Sequence, residues 1–238
     1  MKRTLLELTQ SILSDMDSEG VNSIEDTVEA MQVASVIEDT FFNIIAARDI
    51  PEHQQLIKLT SLSDSAKPTH FSYPANTRSL DVVQYDMGTN YADVSYVEPL
   101  VFLDRMTPNV GVTVTDVKGG TPLYIRNDRM PTYYTSFDDE HIVMNSFDAS
   151  VETILQNSKT RAYGYIYPTF SQTDDFTPDI DDTMLPYLFA ESKSVCFSLF
   201  KSGSDPKVEQ SARRLKSFVQ NDMYKTKQVN KRPHYGRT

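Results

Sequence analysis

Apolar residues change their spacing twice along this chain, and that change limits the fold more than any other feature. Up to about residue 50, and again beyond about 179, they recur at helical intervals; in between they alternate with period two and are broken by turn residues. A chain patterned this way is expected to be α+β. Its N- and C-terminal helices form one bundle, and a β-rich domain is inserted between them. The expected divisions are residues 1–50 for the N-terminal helices, 51–178 for the β-rich insert, 179–228 for the C-terminal helices and 229–238 for an extended basic tail.

Leu5, Leu8, Ile12 and Leu13 form one helical stripe, and Gly20 is expected to punctuate the turn that follows. Ser23 is positioned to cap a second helix ending before Pro51. The apolar residues of that helix, Val33, Ile37, Phe41 and Ile44 among them, cover more than one stripe. Such a helix must be covered on two sides, by other helices or by a neighbouring subunit, and these four are the residues expected at a subunit contact.

In the middle, Lys118-Gly119-Gly120 and Asp138-Asp139-Glu140 mark two hairpins, Pro99–Met106 a short helix, and Thr153–Tyr167 mostly strand. Towards the end, Asp181 or Asp182 is expected to cap a helix carrying Pro186 in its first turn and closed by Gly203. Pro206 opens another, with Val208, Ala212, Leu215, Val219 and Met223 on its apolar stripe.

Charge is divided by position. The chain has 23 Lys and Arg against 33 Asp and Glu, a net charge of -10. Residues 201–238 hold ten of the bases and three of the acids, giving +7; the first 200 residues hold 13 bases and 30 acids, giving -17. The acidic total argues against broad wrapping of nucleic acid, and the basic end suggests an interaction segment. No apolar run approaches the roughly 18–20 residues of a membrane span. The N-terminal residues lack the pattern of a secretion signal. The lone Cys196 excludes an internal disulfide framework and points to a reducing compartment.

Catalytic signatures are sparse. There is no G-x-S-x-G elbow and no glycine-rich phosphate loop, and Cys196 on an apolar helix face reads as an inert thiol. His53, His70, His141 and His234 offer no i, i+4 pair. Asp138, Asp139, Glu140 and His141 cluster, but neighbours in a hairpin are expected to point in different directions; Asp174–Asp182 lacks calcium-loop spacing. No catalytic residue, metal or cofactor is therefore assigned. Tyr163, Tyr165, Tyr167 and Phe170, preceded by Lys159 and Arg161, could form a stacking platform for single strands, but fit a buried β-face or a subunit contact better.

The run TLLELTQSILSDM from Thr4, the following VNSIEDTVEAMQVASVIEDTFFNIIAARD, YTSFDDEHIVMNSF from Tyr134, and the closing Arg232-Pro233-His234-Tyr235-Gly236-Arg237 resemble the head-to-tail connector (adaptor) proteins of tailed bacteriophages, including the tail tubular protein A type of short-tailed phages. The resemblance spans most of the chain and implies a helical bundle combined with a β-rich domain. It also implies a homo-oligomeric ring, typically of twelve subunits, beneath the portal protein and above a tail nozzle or tail tube protein. Genomic DNA would pass through that ring without specific binding. The place would be the virion neck or tail, with assembly in the host cytoplasm and no membrane. No catalytic residues carry over. Within this reading Lys225, Lys227, Lys231, Arg232, Tyr235 and Arg237 are the candidates for docking on the portal. The competing readings are a small hydrolase with an acidic active site and a DNA-binding module using the basic C-terminal helix.

Overall fold

The computed structural model describes residues 2–47, 50–107, 110–118, 120, 122–201 and 205–231, with only the backbone described at 51 and 222–231. In chain order the elements are α1 (Leu5–Asp15), α2 (Val28–Ala46), β1 (Gln54–Ile57), β2 (Thr60–Ser61), β3 (His70–Ser72), β4 (Thr77–Asp86), β5 (Tyr91–Asp93), β6 (Ser95–Tyr96), α3 (Pro99–Asp104), β7 (Val112–Thr115), β8 (Pro122–Ile125), β9 (Tyr133–Thr135), β10 (His141–Met144), β11 (Thr160–Ile166), α4 (Leu185–Phe200) and α5 (Pro206–Lys231). The fold is α+β. The chain divides into a helical unit, residues 1–52 and 168–238, and a β-rich unit, residues 53–167.

In the helical unit, α1 begins with a reciprocal cap. The Thr4 hydroxyl accepts the Glu7 amide at 3.2 Å, and the Glu7 carboxylate accepts the Thr4 amide at 3.1 Å. Leu5, Leu8, Ile12 and Leu13 are buried as their spacing predicts, each contributing about 1.5–3 kcal/mol. The helix ends at Met16, and the residue that turns the chain is Asp17, at φ 54°, not Gly20. A second correction concerns Ser23. Asp26 accepts the amides of Asn22 and Ser23 in a local turn, so α2 starts later, on Thr27, whose hydroxyl accepts the Ala30 amide at 3.1 Å.

α2 is covered on two sides by its own chain, through α1 and α4. Val33, Ile37, Phe41 and Ile44 are all buried in this core, beside Leu188 and Cys196 of α4. The four residues expected at a subunit contact are therefore internal. The apolar side chains that α2 leaves exposed are Val28, Met31 and Phe42.

The helical unit also takes in residues 168–178, which were expected in the insert. The rings of Phe170 and Phe176 meet at a tilt with centroids 4.4 Å apart, and Phe170 meets Phe41 at 5.3 Å. The Phe176 carbonyl accepts the Leu5 amide at 2.7 Å, and the Asp174 carboxylate accepts the Ile24 amide at 2.9 Å. α4 has no side-chain cap; the Asp181 carbonyl accepts the Met184 and Leu185 amides, and Pro186 fits in the first turn. The helix is closed at Lys201, and Gly203 lies outside the described residues. α5 opens on Pro206, with Asp205 accepting the Lys207 amide at 2.8 Å. Ala212 and Val219 are buried and Leu215 packs against the core. Helix continues through 229–231, where an extended tail was expected.

The β-rich unit holds a four-stranded antiparallel sheet in the order β1-β11-β4-β5, a five-stranded sheet in the order β2-β3-β10-β9-β6, and the β7-β8 hairpin. Among the described strand pairings, β6–β9 alone is parallel. Their inner faces share one core that includes Phe71, Tyr85, Phe102, Ile125 and Met144. The predicted hairpins and the α3 turn are present, but Thr153–Lys159 is not strand. It forms a loop with one 3-10 turn, and the strand is confined to Thr160–Ile166.

Candidate functional site

Two surfaces concentrate charged side chains: the basic helix at the end of the helical unit, and the β9–β10 turn of the β-rich unit.

The basic helix α5 belongs to an otherwise acidic unit. Residues 1–52 hold three bases and 11 acids and residues 168–200 hold one base and six acids, so the charge division seen along the sequence falls within the helical unit. Among the described side chains of α5, Lys207, Arg213, Arg214 and Lys216 are exposed, and Arg213 pairs with Glu209 one turn away at 3.2 Å. Phe218, 62% exposed and one turn from Arg214, adds an aromatic ring that charge counting alone did not single out. Lys225, Lys227 and Lys231 lie on the same helix, where only the backbone is described. Arg232, Tyr235 and Arg237 lie outside the described residues.

At the β9–β10 turn the structure departs from expectation. Asp138 Oδ1 accepts the amides of Glu140 and His141 at 3.1 and 2.8 Å, and its Oδ2 lies 2.7 Å from His141 Nδ1. Asp139, at φ 56°, is turned the other way. Asp138, Glu140 and His141 therefore converge, with ligand-capable atoms all within 4.8 Å of one another. Lys118 reaches into the group, 2.8 Å from Glu140 and 4.0 Å from Asp138. Burial tends to raise the Asp138 carboxyl, but the hydrogen bonds from His141 and the two amides outweigh it and hold the group below the usual range. The hydrogen bond to Glu140 raises the Lys118 ammonium.

His70 stands beside this turn. It pairs with Val143 as His141 pairs with Ser72, so the two histidines are diagonal neighbours on one face of β3 and β10. His70 is fully buried, neither ring nitrogen has a hydrogen-bond partner, and Nε2 faces Asp116 across 3.7 Å. Burial pushes its pKa down to about 4, which leaves the ring neutral near pH 7. Sequence reading noted both histidines but had no signal for their juxtaposition, which depends on strand register.

Asp139 lines a cleft of about 260 Å³ with Tyr73, Arg78, Tyr96, Tyr134 and Ser136. The row expected of Tyr163, Tyr165, Tyr167 and Phe170 is split: the tyrosines lie in the β-rich unit, with Tyr163 and Tyr167 partly exposed, whereas Phe170 packs in the helical core. No described helix is long and apolar enough to cross a membrane. No protein-family model matches the sequence, and no curated protein matches it.

Proposed function

We propose that this chain is a structural virion protein, a head-to-tail adaptor that joins the portal to the tail and lines the DNA channel as a ring, twelve-membered as in the family it resembles. One observation carries the proposal furthest: a basic helix with exposed Arg213, Arg214 and Lys216 closes a helical unit that is otherwise strongly acidic. A polarised subunit of this kind suits a stacked assembly. The basic end docks on an acidic neighbour, and the acidic body disfavours contact with the phosphates of passing DNA. The insertion of a β-rich unit into a helical one agrees with the architecture the resemblance implies.

The test is attachment to the portal ring of the same virion. Deleting 229–238, or changing Arg213, Arg214 and Lys216 together to Glu, should weaken attachment at moderate salt while circular dichroism stays unchanged. Attachment that survives both changes rejects the docking role. Adaptor subunits can stay monomeric until a partner orders them, so the size of the isolated chain does not decide the question.

The exposed bases of α5 also favour a second reading, duplex DNA binding. That reading requires affinity that falls steeply with salt, whereas the adaptor reading requires little affinity at any salt. The hydrolase reading has less support. It needs carboxyl groups raised towards neutrality, and the displaced carboxyls Asp128, Asp138 and Asp148 are all lowered.

A further inference from the structure

We infer that the β9–β10 turn is a site for a divalent transition-metal ion, held by Asp138, Glu140 and His141, beside the buried His70. Three observations meet there. The three side chains offer two carboxylates and an imidazole within 4.8 Å of one another. A mixed nitrogen and oxygen set selects zinc or manganese over calcium, which takes six to eight oxygens.

The second observation is electrostatic. Lys118 already places a cation between the carboxylates, 2.8 Å from Glu140 and 4.0 Å from Asp138. Its side chain is half exposed, so it can leave for solvent when a doubly charged ion takes its place.

The third observation is His70. Its buried imidazole has no hydrogen-bond partner at either nitrogen, which costs stability until a partner is supplied. It lies diagonal to His141 on the same sheet face. Its Nε2 faces Asp116 at 3.7 Å, beyond hydrogen-bond length, and Asp116 is two residues from Lys118. The unpartnered ring therefore has Asp116 as one neighbour and His141 as another. Coordination would displace Lys118 and break the hydrogen bond between His141 Nδ1 and Asp138 Oδ2.

The experiment titrates the full chain, stripped with chelator, with zinc alone and with manganese alone by calorimetry. Two variants at exposed positions leave the fold intact and move affinity in opposite directions. Glu140→Gln should weaken binding by about tenfold or more, and Lys118→Met should tighten it by removing the competing cation. The His70 ring resonances should shift on zinc addition. One saturable ion per chain with these two responses supports the site. Absence of saturable uptake overturns it, and so does uptake that neither variant alters.

Discussion

The buried hydroxyl of Tyr85 donates to the carboxylate of Glu152 and accepts the amide of Gln156 at 3.1 Å, tying β4 to the loop that precedes β11. Lys159 completes the group, 3.0 Å from the other oxygen of Glu152. This trio helps to explain why Thr153–Lys159 is not strand: the Gln156 amide goes to the Tyr85 hydroxyl and the Leu155 amide to the Pro68 carbonyl rather than to a sheet ladder. Burial and Glu152 push the Tyr85 phenol far up, so it remains a donor. Tyr85→Phe leaves Glu152 one bond short and should cost about 1–3 kcal/mol in urea unfolding. An unchanged midpoint would remove the trio from the account of the loop.

Thr27, not Ser23, caps α2. Thr27→Ala should lower stability by about 1 kcal/mol, visible as a drop in melting temperature by calorimetry. Ser23→Ala should have a markedly smaller effect. Equal effects would mean that the helix begins earlier.

A different mechanism governs Gly164, at an irregularity in the β11–β4 pairing. A Cβ there would sit 2.1 Å from the Ser79 carbonyl oxygen and 3.0 Å from the Leu80 Cα, both backbone atoms that cannot swing aside. Gly164→Ala should cost about 3 kcal/mol and speed amide exchange along β4 and β11. Native exchange rates in the variant would show that the sheet takes up the added Cβ without loosening, against this packing.

Cys196 is fully buried in the helical core, and desolvation pushes its thiol up to about 12. It should resist a thiol reagent in native buffer and react fully in denaturant. Rapid native labelling would mean that α4 opens on the timescale of the assay.

The two-ended helical plan was legible because Leu5, Leu8, Ile12 and Leu13, and later Ala212, Leu215 and Val219, keep helical spacing on buried faces. The double burial of α2 was legible too, but not its partner. Nothing in the pattern of Val33, Ile37, Phe41 and Ile44 distinguishes a helix of the same chain from one of another copy. Ser23 and Thr27 are equally good caps in isolation; the choice turned on Asp26 accepting the Asn22 and Ser23 amides. The convergence of Asp138, Glu140 and His141 depends on a left-handed Asp139, and the approach of His70 on the register of β3 with β10. Neither leaves a mark on residue spacing.

The β-rich unit enters and leaves through adjacent paired strands, Gln54 opposite Tyr165 in β1 and β11. Residues 53–167 expressed alone should therefore fold with their ends held together, giving dispersed amide resonances. Collapsed resonances would make this unit dependent on its host.

That insertion also sets a timetable. On the ribosome, α2 emerges with only α1 to cover it, and α4, which covers its other side, arrives only after ~140 further residues, roughly 7–28 s at ordinary elongation rates. During that interval the β-rich unit has everything it needs to fold, whereas α1 and α2 must wait as a nascent pair with half their core missing. The delay makes the first helices of this chain natural clients for chaperones during synthesis, and it makes completion of the helical unit the last step before a subunit can join any assembly.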